Sequence, residues 1–143
     1  MKQWALLLLL PFFAACGQPA AIAPAQEQHT MKLTVTLDKQ TFTATLADNP
    51  TSRDLYRQLP LTLAVEDYAA SEKTATPPQK LSTAGAPARY QGKAGDITYY
   101  APWGNLALFY KNGPDAPGLI YLGKFDMPFT PGQAAKIRIE AAD

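Results

Sequence analysis

The sequence predicts a mainly β fold, a small closed antiparallel β-barrel, from three observations. From Met31 onward, two runs of residues alternate strictly between apolar and polar side chains, which is the pattern of strands with one buried face. Further short strand-like runs follow, separated by turns rich in Gly, Pro and Asn. One segment has helical spacing instead. Many short strands and one helix in a chain of this length are typical of a small barrel.

The two alternating runs predict a β-hairpin at the start of the domain. Their apolar positions are Leu33, Val35 and Leu37, then Phe42, Ala44 and Leu46. The polar segment Asp38-Lys39-Gln40 joins the runs and has the length of a hairpin turn. One face of this hairpin is therefore expected to be buried.

A short helix is predicted to begin after Asn49. Asn49 is a favoured N-cap residue, and Pro50 suits the first helical turn. Thr51 and Asp54 have the spacing of a capping box. Leu55 is expected to face the sheet, because it starts the apolar side of this helix.

The remaining strands are predicted at 61–68, 97–101, 106–110, 119–125 and 135–140. Residues 69–78 predict a loop or an irregular edge, and residues 80–92, which show no convincing periodicity, predict a long connection across the surface. Long loops of this kind are often functional, but an irregular covering loop fits the same pattern.

Aromatic side chains are concentrated in the hairpin formed by residues 95–111. Adjacent residues on a strand face opposite sides, so one ring of the pair Tyr99-Tyr100 is expected inside and the other outside. The pair Phe109-Tyr110 is expected to divide in the same way. Trp103 lies at the hairpin turn, where burial is harder to arrange.

Charge argues against nucleic acid as a partner. The chain has 13 basic and 12 acidic residues, and removal of the segment before Cys16 takes away Lys2 alone, which leaves 12 of each sign. Such a balance gives no overall field to attract nucleic acid. We expect a monomer that binds no nucleic acid.

The first 15 residues resemble a bacterial lipoprotein signal peptide. Lys2 forms a minimal positive region, and residues 4–13 form an apolar run too short for a membrane span, which needs ~20 residues. Two alanines then precede Cys16, the only cysteine, as in a lipobox. The resemblance implies cleavage before Cys16 and acylation of its thiol. Gly17 after the cysteine implies the outer membrane, if the cell has two membranes.

The alternative is an ordinary secretory peptide that is cut near Ala20 or Ala25 and discards Cys16. A lone cysteine in an exported protein otherwise has no disulfide partner, which favours the lipoprotein interpretation. The sequence thus divides into a signal peptide at 1–15, a flexible tether at 16–30 rich in Ala, Pro and Gln, and a domain at 31–143.

Several short motifs occur in a characteristic order along the domain. They are Asn49-Pro50-Thr51, Leu59-Pro60-Leu61, Glu66-Asp67-Tyr68, Gly95-Asp96, Tyr99-Tyr100, Phe109-Tyr110 and Leu122-Gly123-Lys124. With them, the chain from Met31 to about Asp126 resembles the bacterial cyclophilin-like fold family. The resemblance implies a closed barrel of about eight strands flanked by one or two short helices. Characterised cyclophilins are peptidyl-prolyl isomerases, but this branch is named for its fold, which does not carry function.

The isomerase activity implied by the cyclophilins needs an arginine above an aromatic proline pocket, because the isomerisation barrier is ~20 kcal/mol. By the resemblance, that arginine is expected on the strand after the first helix. Residues 61–72 contain no arginine. Residues 106–109 keep one aromatic ring, Phe109, and lack the glutamine of the enzymes. Arg89 is the nearest remaining candidate, so efficient catalysis is not expected and a weak isomerase stays as the alternative.

Other catalytic chemistry has little support in the sequence. His29 is the only histidine and lies in the tether, so neither a histidine-based triad nor a metal site is expected, and no cofactor is predicted. Glu66 or Asp67 with Glu72 is the nearest approach to the carboxylate pair of a glycosidase. A pair with Lys73 or hydrogen bonds to loop amides fit these carboxylates better. Asp96 is expected to accept hydrogen bonds from backbone N–H groups at the strand entry.

The aromatic residues suggest a candidate binding groove. Its predicted residues are Tyr68, Glu72, Tyr100, Trp103, Asn105 and Phe109. These rings either close the barrel and cover its ends or line a partly exposed groove for an apolar, proline-like or sugar-like group. The sequence therefore favours an envelope protein anchored to the membrane through acylated Cys16, with a domain that binds a peptide or small molecule and is not catalytic.

Overall fold

The structure, a computed structural model, describes residues 17–23 and 29–142. These residues contain eleven strands and one helix. The strands are β1 Lys32–Leu37, β2 Gln40–Leu46, β3 Leu61–Ala64, β4 Glu66–Tyr68, β5 Glu72–Ala75, β6 Arg89–Gln91, β7 Asp96–Tyr100, β8 Asn105–Phe109, β9 Asp115–Pro117, β10 Leu119–Phe125 and β11 Lys136–Ala141. The helix is α1 Pro50–Arg57. No helix in these residues is long and apolar enough to cross a membrane.

The strands form a mainly β fold, but the predicted closed barrel of about eight strands is wrong. One antiparallel sheet contains nine strands in the order β3-β11-β1-β2-β10-β7-β8-β5-β4, and β6 pairs with β9 in a separate sheet. The two edge strands, β3 and β4, are consecutive in the chain and do not pair with each other. Val65 lies between them and donates its N–H to the carbonyl of Ala135 at 3.0 Å. The predicted strand 61–68 is therefore interrupted at Val65. Its first half, β3, forms one edge of the sheet, and its second half, β4, forms the other.

The predicted first hairpin is confirmed. β1 and β2 pair antiparallel with Val35 opposite Phe42, and the alternate residues Leu33, Val35 and Leu37 are almost completely buried. On the next strand of the sheet, β10, Gly123 lies so close to β2 that an added Cβ atom would be 2.2 Å from the carbonyl oxygen of Thr45. Glycine is therefore required there for the two strands to approach.

The helix begins where the sequence predicts. The Asn49 side chain accepts a hydrogen bond from the Ser52 N–H at 2.8 Å, and Leu55 is completely buried against the core. The capping box does not form. The Thr51 hydroxyl instead donates to the Ser82 carbonyl at 2.6 Å, and the Asp54 carboxylate accepts from the Ser82 N–H at 2.7 Å. Both side chains therefore fasten the long connection to the helix.

Two of the predicted loops contain strands. Residues 69–78 include β5, which pairs with β8 along its full length. Residues 80–92 include β6, whose partner is β9. The rest of the long connection is irregular but fixed: Leu81 is buried, and its N–H donates to the Tyr99 hydroxyl at 3.3 Å.

A buried lysine marks the end of the sheet at β4 and β5. Lys73 on β5 is 4% exposed, and its ammonium lies 3.2 Å from the Asp67 carboxylate on β4. The Tyr110 hydroxyl donates to the same carboxylate at 2.6 Å. The predicted pairing of this acidic segment with Lys73 is confirmed for Asp67. The hydrogen bond from Tyr110, and then the nearby ammonium, lower the pKa of Asp67. The same hydrogen bond, with burial and the negative charge of Asp67, raises the pKa of Tyr110 to about 12.

We predict that Asp67→Asn destabilises the protein by about 2 kcal/mol at pH 7, because it leaves the buried Lys73 ammonium without its carboxylate. The loss stays below that of a fully buried pair because the Asp67 side chain is 44% exposed. The lowered pKa of Asp67 means that its stabilisation is present above the ordinary value of about 3.9 and disappears as the pH falls through the lowered value. The difference from wild type therefore shrinks below about pH 4.

Urea unfolding followed by circular dichroism measures this effect at several pH values. Glu66→Gln is the matched control, because Glu66 is an exposed neighbour on β4 without an ion pair in the described structure, and it should change the stability by less than about 0.5 kcal/mol. Equal stability of the two variants at pH 7 would contradict the role assigned to Asp67.

Candidate functional site

The six predicted site residues lie on four strands that are neighbours in the sheet, β7, β8, β5 and β4, and on the turn between β7 and β8. The register places them opposite one another: Tyr100 faces Asn105, Phe109 faces Glu72, and Glu72 faces Tyr68. Directly opposite residues share a face of the sheet. The pairing therefore brings the side chains together on the outer face, away from the main core.

These six residues line one groove with a volume of about 300 Å³. The other residues of this aromatic groove are Ala69, Ser71, Pro114, Ala116 and Leu119. The β6-β9 sheet contributes one wall, since Ala116 belongs to β9 and Tyr90 of β6 packs against the same outer cluster. The volume is at the lower end of the range for small-molecule sites.

The floor of the aromatic groove is the buried ring of Phe109, which is 2% exposed. An added Cβ atom at Gly92 or Gly113 would lie 2.5 Å from this ring. The Gly113 N–H donates to the Gly92 carbonyl at 2.9 Å, so the two glycines hold each other against the ring. The absence of side chains at these two glycines therefore leaves room for the Phe109 ring beneath the groove.

Trp103 forms the exposed side of the groove and is 63% exposed. Its ring meets Tyr100 at a centroid distance of 5.2 Å and an angle of 81°, and Tyr68 at 5.7 Å and 87°. Edge-to-face contacts of this kind are favourable for aromatic rings. The three rings support one another outside the core, and most of the tryptophan surface stays in contact with solvent.

The adjacent aromatic pairs divide between the two faces as predicted. Tyr99 is 1% exposed and lies in the main core, whereas Tyr100 lines the groove. Phe109 faces the groove, and Tyr110 packs at the other side of the sheet, where it contacts Asp67. The two alternatives for the rings are thus both present: some fill the core, and others line the groove.

Glu72 is the charged side chain of the groove. The described lining residues include no second carboxylate and no lysine or arginine. Partial burial, and then the negative charge of Asp67, raise the pKa of the Glu72 carboxyl above its ordinary value. Glu66 is exposed and Asp67 is bound to Lys73, so the carboxylate pair of a glycosidase is not assembled in the groove.

Asn105 closes the groove at the start of β8 and is 7% exposed. Its amide nitrogen donates to the Leu106 carbonyl at 3.0 Å. The second N–H of the amide and its oxygen form no other side-chain hydrogen bond among the described residues, so Asn105 can offer a ligand both a donor and an acceptor. Asn105 and the Glu72 carboxylate thus give the groove polar groups beside its aromatic rings.

Arg89, the remaining candidate for the electrophile of an isomerase, lies outside the groove. Its guanidinium donates to the Asp115 carboxylate at 2.6 Å across the β6-β9 pair. Both side chains are about half exposed. Arg89 therefore fastens the wall of the groove and does not line it.

Asp96 has the structural role that the sequence predicts. Its buried carboxylate accepts a hydrogen bond from the Lys93 N–H at 2.9 Å. It also accepts one from the Tyr90 hydroxyl at 2.7 Å. Burial and this hydrogen bond raise the pKa of Tyr90. Asp96 thus ties β6 to the entry of β7.

Metal ligands do not cluster in residues 17–23 and 29–142: no group of three or more His, Cys, Asp and Glu side chains is placed to hold an ion. His29 is exposed. Cys16, the predicted site of acylation, lies outside the described residues.

The lining residues that sequence reasoning missed are Ala69 and Ser71, in the turn between β4 and β5, and a second group from β9, β10 and the loop before them. Ala116 and Leu119 are apolar residues without an alternating pattern, and Pro114 follows a turn. The sequence feature associated with this wall is the pair of glycines, Gly92 and Gly113, which lie on either side of the aromatic hairpin in the chain. Their contact with Phe109 depends on the fold and is not visible in the sequence.

Comparison with known proteins supports the fold. The solution structure of the hypothetical protein AF2241 from Archaeoglobus fulgidus is similar with a TM-score of 0.60 and 16% sequence identity, covering 79% of this chain and 95% of that one. At this identity the likeness concerns the fold alone. No curated protein matches the chain at a significant level. The sequence model of the cyclophilin-like family matches residues 35–140, which is most of the chain, and this protein therefore belongs to the cyclophilin-like family.

Proposed function

We propose that this protein is a lipid-anchored component of the cell envelope whose cyclophilin-like domain binds a peptide or small molecule in the aromatic groove. The observation that carries the proposal is Trp103, a large ring that is 63% exposed and held against Tyr68 and Tyr100 at the edge of a preformed groove. Core packing does not require this arrangement, because all three rings lie outside the main core.

The composition of the groove supports binding. Ligand sites are concave and mostly apolar, with a few polar groups that orient the ligand. The groove has an aromatic floor in Phe109, aromatic sides in Tyr100 and Trp103, and polar groups at Glu72 and Asn105. Aromatic and amphipathic rings of this kind contribute most of the affinity in many binding surfaces.

Catalysis of prolyl isomerisation has less support than binding. The cyclophilin reaction depends on a hydrogen-bond donor with positive charge directed at the prolyl amide. The described lining residues of the groove include neither arginine nor lysine, and Arg89 is bound to Asp115. Of the two parts of a cyclophilin site, the groove keeps the aromatic pocket, which can bind a proline ring, and lacks the electrophile.

The anchor is supported by the sequence around Cys16 and by the described part of the tether. Residues 17–23 have no regular secondary structure and are exposed, and Ile22 is 94% exposed. A segment of this kind allows the domain to stand away from a membrane surface. We assign the protein to the outer membrane if the cell has two membranes, and we expect a monomer without a cofactor.

We predict that a ligand of the groove changes the fluorescence of Trp103 in a saturable way. Trp103 is the only tryptophan of the processed protein, because the other one, Trp4, lies in the predicted signal peptide. A panel of peptides with and without proline, simple sugars and common metabolites should contain at least one compound that shifts the emission. Trp103→Ala should weaken binding about tenfold, followed by the NMR signals of groove residues because this variant lacks the fluorophore, and it should not unfold the domain, because the ring is mostly exposed.

The matched control for the panel is Tyr56→Phe, a tyrosine of α1 that does not line the groove. It should leave binding unchanged. The binding proposal would be wrong if neither the Trp103 emission nor the NMR signals of groove residues responded to any compound in the panel.

We predict that mass spectrometry of the membrane fraction finds a chain that begins at Cys16 and carries acyl groups on it. Cys16→Ser should leave an unprocessed precursor, because the thiol is the group that is acylated. A soluble chain beginning near Ala21 would contradict the anchor while leaving the binding proposal intact.

A further inference from the structure

The aromatic groove contains an acidic side chain that lacks a counter-charge. Glu72 forms no ion pair and no side-chain hydrogen bond within the described residues, although these residues contain ion pairs at six other places. It is half-buried, and its register partner across β8 is the buried Phe109. A carboxylate that is partly removed from water and left unpaired is costly unless a ligand supplies the missing charge.

Three aromatic rings stand around the same space as this carboxylate. Trp103 is nearly perpendicular to both Tyr68 and Tyr100, with centroid distances of 5.7 and 5.2 Å. Rings set at right angles offer their negative faces from more than one side. Several aromatic faces around one small space are the arrangement by which proteins bind quaternary ammonium groups and methylated lysine.

The charged side chains in and around the groove leave it with a net negative charge. Glu72 is acidic, and neither lysine nor arginine is present among the described lining residues. The nearby positive groups are occupied elsewhere: Lys73 points to the other face of β5 and binds Asp67, and Arg89 binds Asp115. A neutral apolar ligand would cover Glu72 without neutralising it, whereas a cation would do both.

We propose that the aromatic groove binds an organic cation, an alkylated ammonium group that packs against Trp103, Tyr68 and Tyr100 with its charge toward Glu72. This inference rests on the proposed binding function and specifies the class of ligand. The volume of about 300 Å³ accommodates a trimethylammonium head group and a short chain. The same chemistry occurs in a free small molecule such as choline and in a trimethylated lysine of a peptide.

The test is isothermal titration of the full-length protein, purified in detergent, with choline and with its neutral isostere 3,3-dimethylbutanol. The two compounds have the same shape and differ in charge. Choline should bind at least about tenfold more tightly than the isostere. A peptide with trimethyllysine, and the same peptide with unmodified lysine, should then show whether the cation is recognised as a free molecule or within a chain.

Two variants connect the affinity to the named residues. Glu72→Gln keeps the shape of the side chain and should lower the affinity for choline about tenfold, with little effect on the isostere. Trp103→Ala should weaken choline binding by a similar factor. Glu66→Gln, which removes an exposed carboxylate outside the groove, should leave both affinities unchanged.

The outcomes separate this inference from the proposal on which it rests. Equal binding of choline and the isostere, or choline binding that is insensitive to Glu72→Gln, would overturn the cation inference. If cations fail while a neutral compound from the panel binds and shifts groove signals, the cation inference is wrong and the binding function stands. If nothing binds, both are wrong.

Discussion

The register of β8 against its two neighbours is the constraint on which the groove depends. It aligns Phe109 with Glu72 on one side and Asn105 with Tyr100 on the other, so that four side chains reach the same outer face. A shift of β8 by one residue would send Asn105 and Phe109 inward and bring Leu106 and Leu108 outward. The buried inner residues of the same strands, such as Leu106 and Leu108, oppose such a shift because they belong to the main core. The core thus specifies the groove indirectly, through the alternation of side chains.

Residues Glu72 and Lys73 of β5 show how the two faces of one strand differ. Lys73 faces inward, is nearly fully buried, and is neutralised by Asp67 with the support of the Tyr110 hydroxyl. Glu72 faces outward into the groove and has no partner of opposite charge. The charge of Lys73 is compensated within the protein, whereas the unpaired carboxylate of Glu72 is available to a ligand of opposite charge. Adjacent residues of one strand thus carry one compensated and one uncompensated charge.

Sequence reasoning succeeded where local periodicity determines structure. The hairpin from Lys32 to Leu46, the cap at Asn49 and the division of Tyr99 and Tyr100 between two faces all follow from side-chain spacing over a few residues. The grouping of the predicted groove residues followed from their positions on short strands near the aromatic hairpin, but their use in binding stays a prediction.

The errors concern properties that spacing does not encode. Whether the sheet closes depends on the pairing of β3 and β4, which are far apart in the strand order and meet only in the chain at Val65. The strands β6 and β9 are three residues long, too short to display a pattern. The contact of Gly92 and Gly113 with Phe109 likewise depends on distant segments meeting in the fold.

A protease-coupled isomerisation assay on a proline-containing peptide tests the central claim most directly, because that claim is a groove that binds without the electrophile of the cyclophilins. With the groove lined by Glu72 and with Arg89 bound to Asp115, the account predicts a rate equal to the uncatalysed background. A rate well above background that disappears in Trp103→Ala would contradict it, and would show that the groove catalyses isomerisation by a route that does not need the missing arginine.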